Sequence, residues 1–550
     1  MQIEPFGVLT IDSSEWKHLR SWFLGIGYND DSIVLGTEGF HAYQAANGRL
    51  GAHGFEEGRY IAILERPEYF SIITDPMGQD VLYYYSPEKL QVGGPPVSKW
   101  VVSNSLVSLM RQARRYGSLG LYRPSLLGFM VAGGKAIGAQ LFSNNTPVWG
   151  AHVLPVGCEL RISRIDGSAS LHRLRRGDWL TVDDGSSYAE LLEAYVQASL
   201  ARITALRSAG QLDLLCDVSG GHDSRAVMGM LQRSEGNSPV TYTTDPTKPG
   251  DYAVAKQLAG HFGTQLELKS QVPVSLDGAT AYDIWSHGST GVYLPIVAPR
   301  AEHETRRLRF HGGNFLSKEF GELPARQRVL RLHKWIKTGE RDRAAVAQEF
   351  LDAFGHIDMD PDAPFAMQMH YINFRGRFHY GRNWFSYTRS PMITPLISPL
   401  LARAAFRLTP EQYNRNRVSL DLLLALDNAL GVIPFDLPEK DFTTEEIEES
   451  PFWRRPVSFD AGKAQLPTIY GLPGSSDQTA EPPPSIEGPG FLQVFRERFV
   501  EQAGRVREQK LFNEAYMEKA SNQARSGTPV QQMRAAAHVA QAGIMLAELS

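Results

Sequence analysis

One stretch constrains this chain more than any other: Gln211-Leu-Asp-Leu-Leu-Cys-Asp-Val-Ser219-Gly220-Gly221-His222-Asp223-Ser224-Arg225. Leu212, Leu214, Leu215 and Val218 give it the apolar character of a short buried strand, and Ala226, Val227, Met228, Met230 and Leu231 continue as an apolar helix. Between them, two adjacent glycines allow a sharp turn and a close approach of backbone to a ligand. The helix that follows presents unpaired N–H groups and the positive end of its dipole, which suits an anion. Ser219 and Ser224 add hydroxyl donors, and Arg225 opens the helix within reach of a phosphate. Asp223 is badly placed for a bare phosphate. It makes sense where Mg²⁺ sits between carboxylate and phosphate oxygens. The plainer alternative is an ordinary Ser/Gly turn. His222 occupies the variable position and receives no role.

The stretch sits in a chain of 550 residues, long enough for roughly three domains. Residues 1 to about 180 carry short strand-like runs, among them Tyr60–Glu65, Tyr69–Thr74 and Val81–Tyr85, with helices read at Leu106 and around Pro124. Near Asp183 the period changes. Tyr188, Leu191, Leu192, Tyr195, Val196, Ser199 and Ile203 fall at helical spacing and open a second domain. After the glycine loop come a strand at Val240, a helix at Tyr252 and a strand at Gln265. That alternation argues a doubly wound parallel sheet, whose ligands bind at the carboxyl ends of the strands. From about residue 320 the pattern is mostly helical. A Pro/Gly-rich stretch at 464–490 reads as a linker, and 491–550 as a helical segment. The expected domains are therefore 1–180, 181–463, the linker 464–490 and the C-terminal helices 491–550.

Composition excludes several partners. The net charge is −4 and the pI near 6.4, so nothing favours nucleic acid or a membrane surface. No apolar run is long enough to span a bilayer, and the first residues lack a secretory signal. With two cysteines, Cys158 and Cys216, a disulfide framework or cysteine metal site is not expected. The expected location is the cytoplasm.

The motif Ser219-Gly-Gly-His-Asp-Ser resembles the pyrophosphate loop (PP-loop) of enzymes that adenylate a carboxyl; a Walker loop, with its Gly-Lys-Ser/Thr, is absent. Asp75-Pro-Met-Gly-Gln-Asp-Val-Leu-Tyr-Tyr, Val101-Val-Ser-Asn-Ser-Leu-Val-Ser-Leu, Leu154-Pro-Val-Gly157 and Pro249-Gly-Asp251-Tyr-Ala-Val-Ala add further matches in order. Together, over about residues 55–445, the chain resembles the asparagine synthetase family and its relatives, the β-lactam synthetases and lasso-peptide cyclases. The resemblance implies a mixed α/β and α+β chain. A sandwich-like, Ntn-type glutaminase domain would precede a doubly wound PP-loop synthetase domain with a helical C-terminal part. Two departures stand out. Family members that hydrolyse glutamine use an N-terminal cysteine, whereas position 2 here is Gln2, so the first domain is expected to be catalytically dead. The family's second acidic loop corresponds to Phe310-His311-Gly312-Gly313-Asn314-Phe315-Leu316-Ser317, where Asn314 stands in place of the metal-binding carboxylate.

The resemblance implies an ATP- and Mg²⁺-dependent carbon–nitrogen ligase that adenylates a substrate carboxylate, releases pyrophosphate, and passes the acyl group to an amine with loss of AMP. Ser219, Gly220, Gly221, Ser224, Arg225, His311 and Gly312 are the expected nucleotide contacts. Asp223 holds the metal, completed by the Asn314 oxygen or by Glu319. Lys440, in an acidic loop with Asp436, Glu439, Asp441 and Glu445, is the expected catalytic cation; the alternative is a solvated lysine. Arg375, Arg377 and Arg382 form a basic cluster open to carboxylate binding or to ion pairing on a helix face. The substrate is a small molecule or peptide bearing a carboxylate, and a carrier or peptide-handling protein is a candidate partner. Ammonia-dependent amidation and a catalytically inactive scaffold are the alternatives.

Overall fold

The computed structural model describes residues 2–4, 8–51, 54–129, 140–174, 184–268, 277–290, 307–316, 324–332, 339–380, 392–471, 490–525 and 533–550. Three sheets organise it. The first runs, in spatial order, Gln2–Glu4, Val8–Asp12, Val101–Ser103, Tyr83–Tyr85 and Ala151–Val153, with antiparallel neighbours throughout. The second runs Ala169–Arg173, Cys158–Ser163, Tyr69–Thr74, Glu57–Glu65, Trp22–Tyr28, Ser32–Leu35 and Thr468–Tyr470. Its last strand is parallel to its neighbour, whereas the other pairs are antiparallel.

The apolar run Tyr60-Ile-Ala-Ile-Leu64 is explained by burial on both faces. Ile61 and Ile63 join Leu9, Ile11, Tyr84 and Val102 in a core between the two sheets. Tyr60, Ala62 and Leu64 alternate to the other face and pack with Phe23 and Phe40, the latter on helix Gly36–Asn47. Behind the first sheet, Val81, Tyr83 and Val153 pack on helix Leu106–Ala113 and on the helices Phe491–Glu508 and Arg534–Leu549. The result is a helix, two sheets and a helical layer. The C-terminal helices therefore complete the N-terminal sandwich. Part of the expected linker differs too: Thr468–Tyr470 is an edge strand, registered Thr468 to Ser32, while 472–489 lie outside the described residues.

Helix Tyr188–Ser208 opens the second half with a capping box between Ser187 and Glu190, and it buries Leu191, Leu192, Tyr195, Val196, Ser199 and Ile203 as the spacing requires. The third sheet is wholly parallel, in the order Leu266–Leu268, Val240–Thr244, Asp213–Asp217, Arg307–Phe310, Met392–Ile393. Chain order reverses at Asp213–Asp217. The loops leaving this strand and its neighbour Arg307–Phe310 start from their carboxyl ends, the place where ligands bind in open parallel sheets.

The turn at Asp75–Asp80 locks the halves together. Gly78 has φ +62°, and a Cβ there would lie 2.5 Å from Arg377 Nε, so glycine is needed both for the turn and for the approach. Arg377 is buried and donates to the Gly78 carbonyl at 2.9 Å. Thr394 bonds the Gln79 side chain, and the buried Arg59–Asp80 pair, at 3.2 Å, reaches Met392 Sδ at 3.6 Å. Arg377 thus serves this junction. Arg375 stacks over Tyr371, and Arg382 lies outside the described residues.

Candidate active site

Helix His222–Arg233 starts at Gly221 with no side-chain cap on its N-terminus. The serine hydroxyls of the loop meet: Ser219 Oγ and Ser224 Oγ are 2.8 Å apart, and Ser224 Oγ also accepts from the Ser219 N–H at 3.0 Å. The Gly220 N–H donates to Asp251 at 2.8 Å. Asp251 stands in the first turn of helix Pro249–Phe262 and so ties the second strand–helix unit to the loop. Nothing local in the sequence marks Asp251 for this contact, which joins residues 31 apart.

The loop after Arg307–Phe310 packs directly on this helix start. A Cβ on Gly312 would lie 2.6 Å from the Ser224 nitrogen and 2.9 Å from the Asp223 carbonyl carbon, so only glycine lets the two backbones touch. His311, half-buried, bonds Ile393 through its backbone N–H at 2.9 Å. Asn314 is buried, and its Oδ1 accepts from the Leu316 N–H at 2.7 Å while its Nδ2 faces Asp223 Oδ1 at 3.5 Å. A donor on one side and a carboxylate on the other settle which end of the amide points where. Asn314 therefore offers Asp223 an N–H; it does not aim an oxygen ligand at the same point, as the sequence led one to expect. Glu319 lies outside the described residues. Among the described residues no group of three or more His, Cys, Asp or Glu converges on a metal position.

Arg225 also departs from expectation. It is fully buried, donates to the carbonyls of Leu430, Ile433 and Pro434 at 2.9, 2.5 and 2.9 Å, and lies 3.6 Å over the Phe435 ring. Its guanidinium holds the 430–435 segment and takes no part in an anion site. That segment delivers Lys440. Asp436 N–H meets the Gly220 carbonyl at 3.4 Å, and the Asp436 carboxylate chelates Lys440 Nζ at 2.7 and 2.9 Å. His222, at the position sequence reasoning left without a role, pairs its Nε2 with the Lys440 carbonyl at 3.1 Å and packs between Phe435 and Phe442, with centroids at 4.2 and 5.1 Å. Burial lowers the His222 pKa to about 4, so the ring is neutral and its Nε2–H donates to that carbonyl. The structure thus gathers Ser219, Gly220, Gly221, Asp223, Ser224, Gly312, Asn314 and Lys440 around the start of helix His222–Arg233 and turns Arg225 to the 430–435 segment.

Charge around the loop is not basic. Asp217, Asp223, Asp251 and Asp436 stand against Lys248, Arg309 and Lys440, which pair with Asp251, Asp217 and Asp436 in turn. A polyphosphate would meet excess negative charge here unless a divalent cation came with it. Both cysteines are buried. Cys216 is within the Asp213–Asp217 strand, and burial raises the Cys158 thiol to about 11, so neither is an activated nucleophile. Among the described residues no helix is long and apolar enough to cross a membrane.

No family model matches the chain, and no curated protein matches it either.

Proposed function

We propose that the chain is an ATP-dependent, AMP-forming ligase that joins a substrate carboxyl to an amine. The observation that carries this is the placement of an uncapped helix N-terminus, two serine hydroxyls and Asp223 at the point where the parallel sheet reverses, with Lys440 held over them. In this reading the N–H groups at the start of helix His222–Arg233 and the hydroxyls of Ser219 and Ser224 hold the leaving pyrophosphate. Asp223 would hold Mg²⁺, which supplies charge neutralisation between the phosphates and the carboxylates around the loop. Lys440 leaves Asp436 for the developing negative charge when the amine attacks the acyl carbon. In this reading the two-sheet domain is a glutaminase-like scaffold whose cysteine, Cys158, is buried and held protonated, so the amine belongs to the substrate or arrives as free ammonia.

A second reading, a nucleotide-binding scaffold without catalysis, is favoured by one observation: Asn314 turns its N–H, not a carboxylate, toward Asp223. Calorimetric titration of Mg·ATP into the native protein and into Asp223→Ala tests both. Mg²⁺-dependent binding that disappears in the variant supports a nucleotide site, and ATP–pyrophosphate exchange driven by a carboxylic acid then selects the ligase. No binding at about 1 mM ATP, a free energy weaker than about −4 kcal/mol, rejects both.

A further inference from the structure

Far from the glycine loop in sequence, a cavity of about 1070 Å³ lies between the second sheet, the Ala151–Val153 hairpin and the helices around 355 and 370. It exceeds the roughly 300–1,000 Å³ typical of small-ligand pockets. Its wall carries polar groups left without protein partners, and one of them is tied through Asn145 to a buried carboxylate that does not itself line the cavity. Glu349, buried, accepts from the Tyr122 and Ser143 hydroxyls and from Asn145 Nδ2, the last at 2.9 Å. With its nitrogen committed to that carboxylate, Asn145 must use its oxygen toward His152 Nδ1, 3.0 Å away. The His152 proton is therefore on Nδ1, and Nε2 is a bare acceptor. Burial lowers His152 to about 4, so the ring stays neutral near pH 7. Asn373 is fixed in the same way: its Nδ2 donates to the Met369 carbonyl at 2.8 Å, which leaves Oδ1 as acceptor. His152 Nε2, Asn373 Oδ1 and the Tyr84 hydroxyl line this cavity, and none has a hydrogen-bond partner among the described residues. Two bare acceptors, one of them backed through Asn145 by a buried carboxylate, beside a hydroxyl that can also accept, call for an N–H donor, best a cationic one.

The mouth has the opposite sign. Lys89 is exposed there, and Arg173 reaches Asp358 at 3.0 Å with 32% of its side chain exposed against 74% for Asp358. One weak surface pair leaves both cations able to take a carboxylate.

We propose that this cavity is a second ligand site, for a small zwitterion with a primary ammonium at the His152–Asn373 end and a carboxylate at the Arg173–Lys89 end, the chemistry of an amino acid or a short peptide. Leu171, Ile357 and Met369 supply apolar wall for a side chain. The inference does not rest on the nucleotide reading.

Calorimetry on the full chain without nucleotide tests it, with L-leucine and leucyl-glycine as probes and N-acetyl-leucine and leucinamide as blocked controls. The two probes separate a free amino acid from a peptide, and binding of either supports the site. Each blocked control should bind at least about tenfold more weakly, a difference of about 1.4 kcal/mol. Arg173→Glu, at the exposed mouth, should weaken the zwitterions by about the same factor and spare leucinamide. Asn373→Ala should weaken the zwitterions and leucinamide alike, with circular dichroism showing both variants folded. No binding of either zwitterion at about 10 mM, equal binding of the blocked controls, or indifference to both variants overturns the proposal. Because ATP is absent, each of these results leaves the nucleotide reading standing or falling on its own titration.

Discussion

Adding one methyl group at each of two adjacent glycines should produce opposite failures. A Cβ on Gly220 would lie 2.3 Å from the Cβ of Asp436 and 2.9 Å from its Cγ. The Asp436 Cβ is fixed to its backbone and cannot swing aside, and its carboxylate holds Lys440. Overpacking of this kind costs about 1–3 kcal/mol. A Cβ on Gly221 meets only Ser219 Oγ, at 3.8 Å, and the residue sits at φ −86°, ψ 166°, an extended conformation that alanine adopts freely. Alanine gains about 0.4–1 kcal/mol by restricting the unfolded chain, and its inferiority to glycine as an N-cap offsets a similar amount. Gly221→Ala should therefore change stability by less than about 0.5 kcal/mol. Its methyl group would nonetheless stand where a phosphate must approach the helix start. Losing one hydrogen bond to a charged group is worth about 1.5–3 kcal/mol, or roughly 10–100-fold in Kd. Urea midpoints and Mg·ATP titrations on both variants separate the effects. If Gly221→Ala binds Mg·ATP as the native protein does, the loop does not cradle phosphate. If Gly220→Ala keeps native stability, the packing of Asp436 on the loop has been misjudged.

Arg225→Met keeps the length of the side chain but strips three carbonyls of their donor, at about 1–3 kcal/mol each when buried, so the urea midpoint should drop sharply. Native stability with weakened ATP binding would instead put the guanidinium back at the phosphates. Asn314→Asp sets a second carboxylate about 3.5 Å from Asp223. The variant should lose stability without metal and bind Mg·ATP more tightly than the native protein; Mg²⁺-independent behaviour in both would argue against a metal at Asp223. Acid should destabilise the fold through its buried histidines. His222, His152 and His287 titrate at about 4, and His370 and His538 at about 3, against 6.5 for an unperturbed ring. Above pH 6.5 neither state holds these protons. As the pH falls from 6.5 toward about 4 only the unfolded chain takes them up, so stability declines over that window, at about 1.4 kcal/mol per fully titrating group per pH unit before any discount for partial exposure. A urea midpoint that stays flat between pH 7 and 5 would contradict these depressed values.

The strand, turn and helix around Gly220 were legible because each is set by residues close in sequence: the Leu/Val run, the paired glycines and the apolar helix face. The same holds for helix Tyr188–Ser208, where spacing alone marks the buried stripe. What sequence could not settle depended on contacts between distant residues. Met392–Ile393 is too short for any periodicity, and its place at the sheet edge is fixed by pairing with Arg309–Phe310 and by the Gln79–Thr394 contact. Thr468–Tyr470 hides in a Pro/Gly-rich stretch and is a strand only because Ser32–Val34 offers an edge. Arg225 opens its helix within plausible reach of either phosphate or the 430–435 carbonyls. Three carbonyls and the Phe435 ring decide for the latter, at a separation of some two hundred residues that local pattern does not encode. Asn314 shows the limit at atomic scale: its identity is in the sequence, but which end of the amide faces Asp223 is decided by the Leu316 N–H.

The Lys440 loop shows why the residue at the motif's variable position matters. Lys440 is anchored through its backbone, by the His222 ring on its carbonyl and by its N–H on the Leu437 carbonyl at 3.0 Å, and the next residue's carboxylate, Asp441, accepts from the Phe435 N–H at 2.7 Å. Its side chain is held differently, by a pair with Asp436 in which 34% of the lysine and 17% of the aspartate side chain remain exposed. A partly exposed pair of this sort contributes about 0–1 kcal/mol, so the ammonium can exchange a carboxylate for a phosphate or a developing oxyanion at small cost. The backbone contacts do not depend on that exchange. A cation that is fixed in place but loosely paired can move by a side-chain rotation, without reordering the loop. Had His222 been replaced by a residue unable to bond the carbonyl, the same exchange would have to fix the loop as well, and ordering each backbone residue costs about 1–2 kcal/mol. His222→Leu keeps the packing against Phe435 and Phe442 and removes the hydrogen bond to the Lys440 carbonyl together with a longer one, at 3.4 Å, from Asn416 Nδ2 to the ring. It should therefore leave the fold intact while weakening whatever Lys440 does in the bound state.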